Sequence, residues 1–281
     1  MSVTIPQKRA AFRALHRQGC FVIPNPWDIG SARLLEGMGF KALASTSSGF
    51  AWSQGLADNG VARAAVLEHL RAMAAATDLP LNADFEGGFA DDPAGVAESV
   101  RMAVATGVAG LSIEDSTGDR ERPLRDVDDA VARIRAARVA IDETGGDTLL
   151  VGRAENFIVG RPDLEDTLMR LRAYADAGAD CLYAPGIRTR DQIMAVVAAV
   201  APKPVNLLIG FGSDLSVADV AALGVRRISV GGALARAAWS GFLHAARGIA
   251  EQGRFDAFAD AASGADLNAF FTGASRTIVG R

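Results

Sequence analysis

Residues 80–115 read PLNADFEGGFADDPAGVAESVRMAVATGVAGLSIED. Two short apolar runs, 80–84 and 110–114, flank an Ala- and Val-rich segment, 94–106, with helical spacing. Gly107 and Gly110, the second opening the later run, lie where a helix uses a left-handed cap to turn back into a strand. The stretch is a strand–helix–strand unit, and the same pairing recurs outward in both directions. Further strand candidates are 21–24, 42–45, 149–153, 180–183, 204–208 and 226–230. Helical segments at 61–76, 127–142, 164–177 and 191–200 lie between them, several closed by Gly145, Gly146, Gly178 or Gly224. Strict alternation implies a parallel sheet covered by helices, and eight pairs are the number that closes a (β/α)8 TIM barrel. An open doubly wound sheet is the other arrangement, but no GxGxxG follows the first strand.

With 281 residues, 49% of them apolar, the chain has ample material for a core, which excludes global disorder. No Ser/Gly- or Pro-rich linker divides it, so residues 1–281 are expected to form one barrel domain, with 254–281 a C-terminal helical extension. Beyond the eighth strand come helical segments 233–252 and 254–262, then the apolar run 267–271. Phe255, Phe258, Phe270 and Phe271 are too apolar for water and are expected to pack on the barrel's own base or on a neighbouring subunit. A formal charge of −4 with interspersed signs argues against nucleic acid or an anionic membrane as partner. Cys20 and Cys181 lie far apart, outside any CxxC or Cys/His cluster, which argues against a disulfide framework or structural zinc. No signal-like or membrane-spanning apolar run occurs, so a cytoplasmic protein is expected.

Active sites of such barrels are built at the carboxyl ends of the strands. Polar groups are dense there: Asn25, Trp27 and Asp28; Ser45 to Ser48 with Gly49 and, further along, Asp58; Asn82 and Asp84; Glu114 and Asp115; Arg153, Glu155 and Asn156; Asn206; Ser229. Asn82 and Asp84 share one face of their strand. Carboxylates converging from adjacent strands beside an amide make an oxygen-rich cage suited to Mg²⁺ or Mn²⁺. Arg153, one strand over, suits a bidentate hold on a substrate carboxylate or phosphonate. Asp28 and Ser47 could equally be helix N-caps, and Gly231-Gly232 fits either an anion site or close helix packing. His16, His69 and His244 fall within helical segments far from strand ends, which makes them exposed or capping residues and disfavours a Ser-His-Asp triad. Cys181 reads as a small core residue.

Asn25-Pro-Trp-Asp28, Ser48-Gly49, Asn82-Ala-Asp84, Ser112-Ile-Glu-Asp115 and Arg153, in this order across residues 8–250, resemble the isocitrate lyase and phosphoenolpyruvate mutase superfamily. The resemblance implies a (β/α)8 barrel in a homo-oligomer, dimer or tetramer, whose C-terminal helices are exchanged between neighbours. It implies Mg²⁺-assisted making or breaking of a C–C or C–P bond beside a small-molecule 2-oxo or 2-hydroxy carboxylate, through an enolate of pyruvate. Carried onto this chain, Asp58, Glu114 and Arg153 are catalytic groups, and Asn82, Asp84 and Glu114 hold the metal directly or through water. Trp27, Ser47, Ser48, Gly49, Arg153 and Asn206 contact substrate.

Two departures narrow the expectation. The loop after the fourth strand, Ser116-Thr-Gly-Asp-Arg-Glu-Arg-Pro-Leu124, has neither the Cys that serves the family's carbon–carbon lyases as acid nor a Lys. Residues 118–124, with Arg120 and Arg122, are expected to form a mobile lid. Asn82 replaces a ligating Asp, and restoring that Asp should tighten Mg²⁺. Decarboxylation of an oxaloacetate-like acid tolerates the missing acid, because CO₂ departs neutral. C–P chemistry, as a mutase or phosphonopyruvate hydrolase, and a non-catalytic 2-oxo acid binder are the other readings.

Overall fold

The computed structural model describes residues 3–275. Helix α1 (Ile5–Leu15) precedes β1 (Phe21–Ile23), α2 (Ile29–Gly37), β2 (Leu43–Ala44), α3 (Ser47–Ser53) and α4 (Arg63–Ala76). The middle of the chain is β3 (Leu81–Asp84), α5 (Pro93–Val104), β4 (Gly110–Glu114), α6 (Val127–Glu143), β5 (Leu149–Arg153) and α7 (Leu164–Asp176). Then follow β6 (Cys181–Tyr183), α8 (Arg190–Val200), β7 (Val205–Leu208), α9 (Val217–Ala222), β8 (Arg227–Ser229), α10 (Ala233–Gln252), a 3₁₀ turn (Asp256–Asp260) and α11 (Gly264–Phe271).

All eight expected strands are present and pair in parallel in the order β1-β8-β7-β6-β5-β4-β3-β2. The seam between β1 and β2 is bridged by the Ala44 N–H, which donates to the Pro24 carbonyl at 3.0 Å. Asn25 staples the same seam. Its Nδ2 donates to the Ser45 carbonyl at 2.9 Å, and its Oδ1 accepts the N–H groups of Val230 and Gly231 at 2.9 and 2.8 Å. The result is a nearly closed (β/α)8 barrel.

Strand alternation sends every second side chain inward. Asp84 is registered with Ser112, Glu114 with Arg153, Arg153 with Tyr183, and Asn206 with Arg227. One apolar core fills the space between strands and helices, and a smaller one fills the barrel, where Cys181 is fully buried. From below, Phe12 of α1 plugs the barrel and is itself fully buried. A Cβ at Gly110 would stand 2.7 Å from the Phe12 ring and 2.8 Å from Asn82 Oδ1. Gly110 is therefore a strand residue required by close packing, not the helix cap expected from its neighbourhood; Gly107, at φ 94°, is the cap.

Asp28 is the N-cap of α2, accepting the Ser31 N–H at 2.7 Å, a contact of the kind worth about 1 kcal/mol. Ser47 is not a cap: Thr46 takes that place in α3, a helix hidden in the sequence by its Ser and Gly residues. Segment 254–262 shortens to the 3₁₀ turn, which has no buried residue to hold a longer helix. Of the apolar tail, α11 docks on α2, with Arg33 over the Phe271 ring at 5.3 Å and bonded to the Phe271 carbonyl at 3.2 Å. Phe255 and Phe258 stay exposed. Residues 276–281 of the expected extension lie outside the described residues. No described helix is long and apolar enough to cross a membrane.

Candidate active site

Two adjoining cavities, of about 370 and 400 Å³, open at the carboxyl ends of the strands. Ser47, Asp58 and Arg153 line both; the first also reaches Asn82 and Asp84, the second Glu114 and Glu155.

Arg153 ends β5 and is held by three carboxylates from three strand ends. Its Nη1 lies 3.1 Å from Asp84 Oδ1 and 3.0 Å from Glu114 Oε2, while its Nε and Nη2 bond the Glu155 carboxylate. Tyr183 lies beneath, its ring centroid 5.2 Å away. Burial would lower the Arg153 pKa, but Glu114, Glu155 and Asp84 raise it well above the usual value. Asp84 is fixed from its other side by Ser47, whose N–H and Oγ donate to Oδ2 at 3.0 and 2.9 Å. Glu114 accepts the Ser116 hydroxyl at 2.6 Å.

One guanidinium cannot balance this many acids. Burial, reinforced by Asp84 and Glu114, pushes the Glu86 carboxyl up to about 8. Burial also pushes Glu155 up to about 8, against the pull of Arg153. Asp58 is raised by burial and then by Asp84. Among the described residues no group of three or more His, Cys, Asp or Glu side chains is arranged to hold a metal. The donors that do converge, Asp84 and Glu114 with Asp58 nearby, are all oxygens and short of positive charge. That set fits a hard ion such as Mg²⁺, which takes one or two carboxylates and keeps its waters.

Other expected residues fall elsewhere. Trp27, Gly49 and Asn206 line neither cavity. Trp27 backs onto Gly49, and the Gly49 N–H is spent on the Thr46 hydroxyl at 3.2 Å, whereas the Ser48 N–H has no partner among the described residues. Asn206 Oδ1 accepts Arg227 Nε at 2.8 Å. Asn82 faces the cavity, but its Oδ1 accepts Arg227 Nη1 at 3.2 Å and, unlike Asp84 and Glu114 on Arg153, it brings no negative charge to offset that cation. Asp115 points outward and anchors structure, accepting from the Glu155 N–H, Arg170 and the Tyr174 hydroxyl at 2.8, 3.2 and 2.6 Å. Gly231 gives its N–H to Asn25, and a Cβ at Gly232 would meet Ser48 Oγ at 2.8 Å, which favours close packing over an anion site.

The histidines divide. His16 caps α1, and His244 is exposed. His69 is neither exposed nor distant: it stacks on Phe50 at 3.8 Å and lines a small cavity with Asp84 and Glu86. Sequence reasoning also missed Trp52, Tyr183, Phe211, Arg227 and Arg236 in the cavity wall. For Tyr183 and Arg227 the inward strand position was the available signal; Trp52 sits on the unexpected α3.

Known proteins share this fold. A crystal structure from Burkholderia cenocepacia J2315, provisionally named a lyase/mutase, superposes with TM-score 0.94 at 48% identity, covering 97% of this chain and 99% of its own. Oxaloacetate decarboxylase of Paraburkholderia xenovorans (strain LB400) is 30% identical over 242 residues, 79% of this chain and 74% of its own. Phosphonopyruvate hydrolase, solved with oxalate and Mg²⁺, has TM-score 0.83 and 26% identity, covering 98% and 96%. Relatives also include a 2-methylisocitrate lyase of Escherichia coli (strain K12), so the comparisons give lyase and mutase chemistry without choosing a substrate. The phosphoenolpyruvate phosphomutase family model matches residues 12–250, and the chain belongs to that family, within the isocitrate lyase and phosphoenolpyruvate mutase superfamily.

Proposed function

We propose that this chain is a cytoplasmic Mg²⁺-assisted lyase that decarboxylates a small 2-oxo dicarboxylate of the oxaloacetate type. The observation that carries this reading is the make-up of the two cavities: a carboxylate cluster around Arg153, and no Cys, Lys or His in either wall. A lyase that expels a carbanion needs a placed acid; Glu155, the carboxyl in these walls pushed up to about 8, has both oxygens committed to Arg153, and a missing acid lowers the rate roughly 10² to 10⁴-fold. CO₂ leaves neutral and makes no such demand.

In this reading Asp84 and Glu114 hold the ion and Asp58 holds its waters. The ion supplies electron withdrawal at the substrate ketone, the stabilisation an enolate needs. Arg153, held rigid by three carboxylates, orients substrate oxygen with its remaining N–H, and Ser48 lines the same cavity. The C–CO₂ bond breaks, its electron pair becomes the enolate, and a proton from solvent completes the 2-oxo monocarboxylate product. The chain works as a homo-oligomer, supported by the apolar side chains that α10 leaves exposed.

The test is an assay of the purified protein on oxaloacetate, isocitrate, methylisocitrate and phosphonopyruvate, with Mg²⁺ and with a chelator. Pyruvate and CO₂ release from oxaloacetate above the protein-free Mg²⁺ background, lost on chelation, is the expected result. Faster turnover of methylisocitrate or isocitrate would overturn the decarboxylase reading, and faster turnover of phosphonopyruvate would move the chain to C–P chemistry.

A further inference from the structure

Arg227 opens β8 with its side chain inside the barrel, 2% exposed. Its Nε and Nη1 donate to the amide oxygens of Asn206 and Asn82, and Nη2 has no partner among the described residues. The other buried arginines each have a carboxylate: Arg133 has Asp129 at 3.1 Å, and Arg170 has Asp115 and Asp166 at 3.2 and 2.7 Å. Arg227 forms no ion pair among the described residues. A guanidinium taken out of water without a counter-anion is strongly unfavourable, and two amide dipoles only part-compensate it.

The cavity that opens at Ser48 and Arg153 reaches down to Arg227, past Ser112, Tyr183 and Ser229. Its two ends differ in sign: acids dominate the rim, and an uncompensated cation forms the floor. The Asn206 Nδ2 donates to Ser229 Oγ at 2.9 Å, which turns the Asn206 oxygen toward Arg227 and fixes the guanidinium in place. We infer that Arg227 is the docking point for a second anionic group of the substrate, so that the pocket selects molecules carrying a carboxylate beyond the 2-oxo acid head. The inference rests on the cavity assigned to substrate above and names a determinant of its specificity. A dicarboxylate enters head-up, its distal carboxylate drawn from the acidic rim to Arg227; in an oxaloacetate-type acid that is the group lost as neutral CO₂, so Arg227 serves selection and its ion pair breaks as the group leaves.

The test is calorimetric titration of the full chain with malonate, succinate and glutarate against propionate, butyrate and pentanoate, with and without Mg²⁺. At least one diacid should bind about tenfold or more tighter than the monoacid of equal length. In Arg227→Met, similar in length and uncharged, that diacid should fall to the level of its monoacid, with monoacid binding unchanged. Asn206→Asp gives Arg227 an internal counter-anion and should abolish the same preference, which keeps the test decisive if the first variant does not fold. Wild type without a diacid preference, or a folded variant that keeps it, overturns the inference. Because binding is read without turnover, absence of decarboxylation would sink the proposed reaction and leave this assignment standing.

Discussion

Asp84 carries three hydrogen bonds on two oxygens, from the Ser47 N–H, the Ser47 hydroxyl and Arg153. Asp84→Ala removes the strand-3 oxygens and releases Arg153 on that side, so Mg²⁺-dependent activity should drop to background while circular dichroism stays native. Full activity in that variant would show that the site lies elsewhere. Arg153→Lys keeps the charge but loses the fork that grips Glu155, a residue only 2% exposed. Turnover should fall at least about tenfold, and urea unfolding should show a loss of about 1–3 kcal/mol from the part-unsatisfied Glu155. Wild-type kinetics in Arg153→Lys would remove the arginine from substrate orientation. Asn82→Asp behaves differently from the sequence expectation. Arg227 stands 3.2 Å from that oxygen and would pair with the new carboxylate, so little tightening of Mg²⁺ should follow.

At the scale of elements, the segment expected to be a lid is a small closed hairpin. Ser116 and Leu124 form an antiparallel bridge, and the Thr117 N–H donates to the Pro123 carbonyl at 3.0 Å. Asp119 and Arg120 line the second cavity and Arg122 does not. Trypsin cleavage at Arg120 should slow severalfold when oxalate and Mg²⁺ are added, as closure over the site requires; equal rates would mark a solvated hairpin. Helix α1 sets a different property. His16 at its end packs edge-on to Phe12 and Phe21, and Nδ1 bonds the Phe12 carbonyl at 2.8 Å. Burial, then the charge of Arg227, with Arg13 adding to it, pushes His16 down to about 3. A depressed pKa means that the unfolded chain binds the proton first. Its stabilising effect is complete above pH 6.5 and is lost as pH falls toward 3, by about 1.4 kcal/mol per unit. Urea titrations of wild type and His16→Phe between pH 7 and 4 should therefore diverge, wild type losing stability faster; parallel curves would refute the buried neutral imidazole.

For the molecule as a whole, α10 runs 20 residues with only Ala235 buried. Trp239, Phe242 and Leu243 are exposed by 36%, 59% and 42%, and Phe255 and Phe258 extend the apolar surface. Apolar exposure on this scale is what the proposed association of subunits would cover. Sedimentation of the wild-type protein should give a dimer or tetramer, and Phe242→Glu should shift it to smaller species; a monomeric wild type would refute the interface. Trp239 adjoins Trp52 and Arg236 of the cavity wall, so the smaller species should also lose turnover.

The barrel was legible from the chain alone because its signals are local. Alternating short strands, helical spacing and helix-ending glycines are read over a dozen residues, and they placed all eight strands. Inward alternation likewise put Asp84, Glu114 and Arg153 at strand ends, where the structure joins them through Arg153. Tertiary structure decided what depends on contacts between distant residues. Asn25 reaches Gly231 across 206 positions to bridge the seam, and Arg227 reaches Asn82 across 145. No local pattern announces either bond, so Asn25 read as a site residue and Arg227 went unread. His69 looked remote because its helix does, until packing laid that helix against the strand carrying Asp84. Period and turn chemistry are properties of a segment. The sign and partner of a buried charge are properties of the closed barrel, and they exist only once the chain has brought its ends together.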